Sequence, residues 1–438
     1  MNKILEISRI RLADVRGRVV KIIGLIVECE GPSAGIGELC TIEHGGKIIC
    51  QAEVVGFRET RTLIMPLGAL EGIRPGMAVV AKGETLTAPV GSQLLGRVLD
   101  GLGKPMDNLG EIKCEVRRSI YAEPPTAMQR TRIKDPMYTG IRAIDGFLTI
   151  GRGQRMGIFA GSGVGKSVTM GMIARNCLAK VNVIALIGER GREVREFIEK
   201  DLGPEGLKRS VVVVATSDQP ALVRLKASLL AMSIAEYFRD AGDDVFFLMD
   251  SSTRLAMAQR EIGLAVGEPP ATKGYTPSVF AFLPKLFERA GNSDKGSITG
   301  LYTVLVDGDD LDDPIADSVR SILDGHIVLS RSLANKSHYP AIDVLASISR
   351  CRPDITGPGL KETSSALTRS LAVYRKNEDL INIGAYAKGS DAEVDVAIKR
   401  HAPLEKFLTQ GIGENSKPEE TEAAMRDIVN ANPLQNSG

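Results

Sequence analysis

The stretch Arg155-Met-Gly-Ile-Phe-Ala-Gly-Ser-Gly-Val-Gly-Lys-Ser167 decides how the rest of the chain is read. Its first five residues have the apolar character of a buried strand, and residues 166–179 read as a helix, so the glycines fall where a strand turns into a helix. Gly161, Gly163 and Gly165 lack a Cβ and let the backbone curl with its N–H groups facing an anion. An anion held there sits on the positive end of the helix dipole. The spacing therefore predicts a phosphate-binding loop made of Gly161, Ser162, Gly163, Val164, Gly165, Lys166, Ser167 and Val168. Lys166 reaches the β and γ phosphates as a point charge, and the Ser167 hydroxyl is placed to ligate Mg²⁺. Position 160 is Ala where the strict pattern has Gly. The bland alternative is a glycine-rich turn with no ligand.

Outward from the loop, residues 138–350 alternate strand and helix. Strand candidates are 181–187, 211–215, 244–249, 301–306 and 326–329, with helices at 193–202 and 220–239 between them. Near-continuous apolar strands alternating with helices predict a parallel sheet covered on both faces, whose ligands bind at the carboxyl ends of the strands. Two acids occupy such ends. Asp250 follows Val-Phe-Phe-Leu-Met and suits a Walker-B acid that holds Mg²⁺; the other reading is a cap on the next helix. Glu189, after the strand 181–187, suits a base that orients and polarises an attacking water. Its alternative is a solvated loop Glu paired with Arg190 or Arg192.

The flanks differ in character. Residues 17–87 carry short β-type runs (19–27, 47–55 and 77–81) with glycine-rich turns, which predicts a small β-barrel or sandwich. Phe57 is the only Phe, Tyr or Trp before Tyr121, too few to stack single-stranded nucleic acid. Residues 94–107 and 120–136 read as a turn-rich connector. Beyond Arg352 the chain turns helical and polar, at 362–376, at 392–410 broken by Pro403, and at 416–430, where Ser416-Lys-Pro-Glu419 reads as a capping box. Ala423, Ile428 and Val429 mark the face on which that last helix docks. The division is then residues 1–90 (N-terminal β-barrel domain), 91–350 (P-loop nucleoside-triphosphatase domain with the connector) and 351–438 (C-terminal helical domain).

Composition narrows the class. In 438 residues, 43% hydrophobic, Lys and Arg (55) nearly balance Asp and Glu (54), so no global field favours nucleic acid or anionic membrane. Six scattered cysteines form no C-x-x-C pair, which argues against zinc and a disulfide framework. Charges interrupt the apolar runs of Met-Asn-Lys-Ile-Leu-Glu-Ile at the N-terminus, so no secretory signal and a cytoplasmic location are expected.

The motifs AGSGVGKS, GERGREV (188–194), LMDSSTR (248–254), GEPPATKGYTPSVFAFLPKLFERAG (267–291), DGHIVLSR (324–331) and YPAIDVLASISR (339–350) together resemble the flagellar type III protein-export ATPase family, a relative of rotary ATP synthase catalytic subunits. The resemblance implies a RecA-like central domain and a homohexamer with ATP sites between subunits. It implies Mg²⁺-dependent ATP hydrolysis that energises release and delivery of export substrates. Carried onto this chain, it gives Lys166, Glu189 and Arg350 catalytic roles, Arg350 as an arginine finger reaching into the neighbour's site. It also gives Tyr339 the adenine-stacking position, and Arg190 and Arg192 a place at the γ-phosphate or the subunit interface. Implied partners are the regulator or stator and the stalk of the export apparatus, export chaperones and their substrates, with peripheral association at the cytosolic face of the inner membrane and no nucleic acid. The form KGYTPSVFA favours the flagellar branch over virulence-type secretion. A rotary synthase subunit is disfavoured because the C-terminal part lacks the acidic DELSEED run. A hexameric RNA translocase is disfavoured by the aromatic-poor barrel, and a non-catalytic ring subunit by the presence of Glu189.

Overall fold

In the computed structural model, which describes residues 15–306 and 313–430, the first unit is a closed barrel. Its strands are β1 (Arg16–Ile23), β2 (Ile26–Glu30), β3 (Glu38–His44), β4 (Lys47–Arg58), β5 (Arg61–Pro66) and β6 (Ala78–Thr85), in the order β1-β2-β5-β4-β3-β6. The run 19–27 that reads as one strand is two, because Gly24 takes φ 54° and reverses the chain between β1 and β2. Val19, Val27, Cys29, Cys40, Ile42, Ala52, Val54, Ile64 and Val79 fill the interior.

The connector is more than turns. A short ribbon pairs β7 (Thr87–Val90) with β9 (Val116–Ser119), and β8 (Val98–Asp100) joins the edge of the central sheet. After the small pair β10 (Pro136–Met137) and β11 (Ile150–Gly151) comes the sheet proper: β12 (Arg155–Ala160), β13 (Val181–Ile187), β14 (Ser210–Ala215), β15 (Asp244–Asp250), β16 (Gly291–Asn292), β17 (Ser297–Leu305), β18 (Gly325–Leu329) and β19 (Ile348–Ser349). Its order is β19-β18-β12-β17-β15-β13-β14-β8, with β16 paired to β17. The sheet is parallel except for β19 and β16, which run antiparallel to their neighbours. Strand β13 shows why: all seven of its residues are buried, Val183, Ala185 and Ile187 in the core on one face and Ile184 and Leu186 in the core on the other. Such a strand needs helices on both sides.

Beyond β19 the helices Pro358–Asn382, Ala392–Leu408 and Pro418–Asn430 pack onto the second of those cores, where Leu404, Phe407, Met425 and Ile428 meet Ile144 and Phe147. Pro403 does not break its helix, which runs through it and forgoes one backbone bond. The last helix starts on Pro418, and Glu420 rather than Glu419 reaches back, accepting the Lys417 N–H at 3.2 Å. Its buried face is Thr421, Met425 and Ile428; Ala423 is exposed. Residues 307–312 lie outside the described residues, while Asp313 caps the helix Pro314–Ile322 through the Ile315 N–H. Among the described residues, no helix is long and apolar enough to cross a membrane.

A buried charge cluster fixes the barrel to the central unit. Lys226, on the helix Ala221–Asp240, donates to Glu53 Oε1 of β4 at 2.5 Å and also meets the Tyr121 hydroxyl, itself 3.2 Å from Glu53. Both charged side chains are at most 5% exposed. Burial pushes the Glu53 carboxyl up and the Lys226 ammonium down, each opposed by the other's charge. Lys226→Met therefore strands a carboxylate in the interior and is expected to cost about 3–5 kcal/mol. The double variant Glu53→Gln/Lys226→Met recovers a large part of that loss, as measured by urea denaturation.

Candidate active site

The loop between β12 and the helix Lys166–Asn176 lies at the carboxyl rim of the sheet, where the parallel topology places it. Gly163 and Gly165 take positive φ (77° and 88°), Gly165 as the left-handed cap of the helix, whereas Gly161 does not take a positive φ. Two of the three glycines thus supply the curl. Val164 is buried and anchors the loop from beneath, while Ser162, Gly163 and Ser167 are exposed and Val168 half-buried.

Lys166 is the centre of the site. Its ammonium, 12% exposed as a side chain, hydrogen-bonds Asp250 Oδ1 and lies 3.7 Å from Glu189 Oε1. Asp250, at the end of β15, also accepts the Thr303 hydroxyl at 2.6 Å from the neighbouring strand β17. The following helix, Ser252–Val266, is capped by Ser251 through the Arg254 N–H, so Asp250 is not its cap. Glu189 is 13% exposed and makes no pair with the arginines beside it, since Arg190 binds Glu193 at 3.1 Å and Arg192 binds Glu196 at 3.3 Å. The solvated-loop reading of Glu189 is excluded. Both arginines are exposed and paired along their own helix rather than gathered at the loop.

The electrostatics follow from two carboxylates and one ammonium in a nearly dry pocket. Desolvation, reinforced by the Asp250 charge and opposed by Lys166, pushes the Glu189 carboxyl up to about 7. Burial works against the Lys166 charge, but Asp250 and Glu189 outweigh it and its pKa is raised. Ser167, Glu189, Glu193 and Asp250 help line a cavity of about 20 Å³, room for one water-sized occupant. Glu189 Oε1 is buried and accepts no hydrogen bond.

Those groups fit a hard divalent cation: the donors are carboxylate and hydroxyl oxygens, one buried oxygen is unbonded, and the excess charge is negative. Among the described residues, no group of three or more His, Cys, Asp or Glu could hold a metal alone.

Sequence reasoning missed two residues. Thr303 betrays itself only as a polar residue in an apolar strand. Arg254 lies in the LMDSSTR motif; its stem packs on Gly188, where a Cβ would sit 2.7 Å from the Arg254 Cβ, and its charge opposes the rise at Glu189. The Arg254 Nε is buried with no hydrogen-bond partner.

Two candidates sit apart from the triad. The Tyr339 ring lies over the loop, 3.4 Å from where a Cβ on Gly165 would be, and its carbonyl accepts the Gln410 N–H at 2.8 Å. Arg350 is not at the loop. It follows β19 at the opposite rim, its N–H on the Asp324 carbonyl at 2.9 Å beside the start of β12. Strand β12 separates the two rims by roughly 15–20 Å at about 3.3 Å per residue.

Residues 140–349 match the nucleotide-binding domain of the ATP synthase alpha/beta family, residues 19–83 its beta-barrel domain, and residues 357–427 the T3SS EscN ATPase C-terminal domain. The flagellum-specific ATP synthase of Bacillus subtilis is 56% identical over 94% of this chain and 95% of its own. The type 3 secretion system ATPase of Xanthomonas euvesicatoria is 50% identical over 97% and 96%. The assembled ATPase EscN of the enteropathogenic E. coli type III secretion system superposes with a TM-score of 0.90 at 45% identity, covering 94% of this chain and all of that one. The same ATPase in complex with its central stalk EscO gives 0.88.

The ligand-free protein is expected to show two carboxyls titrating near pH 7 by infrared carboxylate absorption, the buried Asp145 and the site carboxyl Glu189, and the variants identify the second. Asp250→Asn lowers it and Lys166→Met raises it. Because the folded carboxyl holds its proton more tightly than its ordinary value of 4.5, its contribution to stability is complete below that value and is lost as pH rises through about 7.

Proposed function

The chain belongs to the family of flagellum-specific and type III secretion ATPases, and on that footing we propose that it hydrolyses ATP to energise protein export, in the flagellar branch. The observation that carries the chemistry is Lys166, held between Asp250 and Glu189 at the mouth of the glycine loop. Greater identity to the flagellar relative than to the secretion relative favours the branch.

In this reading the N–H groups of residues 161–168 cradle the phosphates, and Lys166 exchanges Asp250 for the β and γ phosphates. Asp250 and Ser167 are then free to hold Mg²⁺, which neutralises charge on the phosphates when bound. Glu189, no longer facing the ammonium alone, accepts the proton of the attacking water; a carboxyl whose pKa lies near the working pH suits that task. Tyr339 stacks on adenine above Gly165.

Arg350, too far from its own loop, serves the next protomer in a homohexameric ring as the arginine finger. Arg190 and Arg192, solvent-facing in a single chain, lie at the γ-phosphate or the subunit interface once the ring closes. The three-part division at residues 90 and 350 then assigns barrel contacts, catalysis and stalk or chaperone contacts to successive units. A central stalk partner is supported by the EscN–EscO complex, and peripheral membrane association through the export apparatus by the family.

Glu189→Gln is expected to bind ATP with near-normal affinity and to lose about 10² to 10⁴ in turnover. Near-normal hydrolysis in that variant removes Glu189 from its role. Arg350→Ala should lose about 10³ to 10⁵ with ring assembly intact by analytical ultracentrifugation.

A further inference from the structure

We propose that Asp324 is a positioning residue for Arg350, setting that arginine toward the neighbouring site from the same network that anchors the strand leading to the protomer's own phosphate loop. The inference rests on the finger role of Arg350 proposed above. Asp324 lies just ahead of β18 and works with both its carboxylate and its backbone. The carboxylate takes the Arg155 N–H and Nε at 3.1 Å each through Oδ2 and Nη2 at 3.2 Å through Oδ1. Its N–H donates to the Arg155 carbonyl at 2.9 Å. Its own carbonyl accepts the Arg350 N–H at 2.9 Å and the Gln154 amide at 3.1 Å. Gln154 also donates to Ser349 Oγ at 3.1 Å, and Ser349 donates to the Thr149 carbonyl at 3.0 Å.

The residue before Arg350 and the N–H of Arg350 itself are therefore both tied to the first turn of chain at β12. The Arg350 side chain is exposed and, among the described residues, makes no ion pair. Arg155 is only 15% exposed and has its charge answered by Asp324 and by Glu288, which in turn holds Arg130 at 3.0 Å. Neutralising Asp324 leaves the Arg155 guanidinium under-compensated and weakens the bonds that hold the Asp324 backbone between Arg155 and Arg350. The carbonyl that takes the Arg350 N–H then shifts, and the finger loses its set direction. Arg155 opens β12 and Ala160 closes it into the loop, so one strand carries the protomer's phosphate cradle at one end and, at the other, the holder of the arginine that the protomer lends to its neighbour.

The test separates a role in the neighbour's site from a role in the protomer's own. Asp324→Asn is expected to lower turnover about 10²-fold, the scale of an ångström of misplacement, with ATP affinity unchanged. Glu189→Gln disables a protomer's own site but leaves its Arg350 intact. Mixed rings of Asp324→Asn and Glu189→Gln chains should therefore regain activity at the interfaces, about a quarter by random assortment, that pair an intact site with an intact finger. Mixed rings of Arg350→Ala and Glu189→Gln serve as the reference. Recovery in both mixtures supports the proposal. Recovery only in the reference overturns it while leaving the finger role standing, and recovery in neither overturns both. Undiminished turnover of Asp324→Asn alone also overturns it. Should Asp324→Asn fail to assemble, Ser349→Ala, which removes the parallel tie to Gln154, takes its place in the same mixtures with the same outcomes.

Discussion

A parallel sheet buried on both faces leaves its chemistry only at the rims. Strands such as β13 and β15 present side chains to two apolar cores, so a charged group can stand only where a strand ends and the chain turns. Three neighbouring segments end at one rim: β12 in the glycine loop, β13 at Gly188 and Glu189, and β15 at Asp250. The register of β13 against β15 sets Leu186 beside Asp250, so both strands end at this rim with Glu189 just beyond. Lys166, first residue of its helix, meets both. The electrostatic consequence is a pocket in which the lysine bridges two acids, and in which the Glu189 carboxyl is held well above its ordinary pKa by dryness and a like charge.

Legibility followed locality. The loop was readable because its requirements are written in consecutive residues, and Asp250 because burial alone does not place an acid directly after five apolar residues. Glu189 was ambiguous in sequence because its alternatives, Arg190 and Arg192, adjoin it, and only the fold shows those arginines turned toward Glu193 and Glu196. Thr303, Arg254 and Asp324 were opaque for the opposite reason: each acts through a residue 53 to 169 positions away, on a strand or just past its end. The barrel was legible as a class, yet β3, β5 and the break at Gly24 were not, since short barrel strands alternate weakly. Strand β8 escaped because three residues among glycines and prolines carry no period, and its place is fixed by the free edge of β14. Gly161 shows the reverse error, a glycine read as conformationally necessary where the backbone asks nothing unusual.

The two rims divide the labour. The carboxyl rim gathers the cradle, the acids and Tyr339, all oriented by their own chain, while the amino rim gathers Arg155, Asp324, Glu288 and the N–H of Arg350. With the roles proposed above, a single protomer carries its catalytic groups at two separate rims, and closed assembly becomes a condition of turnover rather than an aid to it.

The C-terminal helices bear on how small a working fragment can be. Phe407 and Leu404 bury Phe147 and Ile144, Arg142 donates to the Phe407 and Thr409 carbonyls, and Gln410 spans from the Tyr339 carbonyl to that of Gly140. Truncation after residue 350 would uncover an apolar face and release the residue that overlies Gly165. The excised catalytic segment would be sticky and slack beside its glycine loop, so the shortest stable working fragment extends through the last helix.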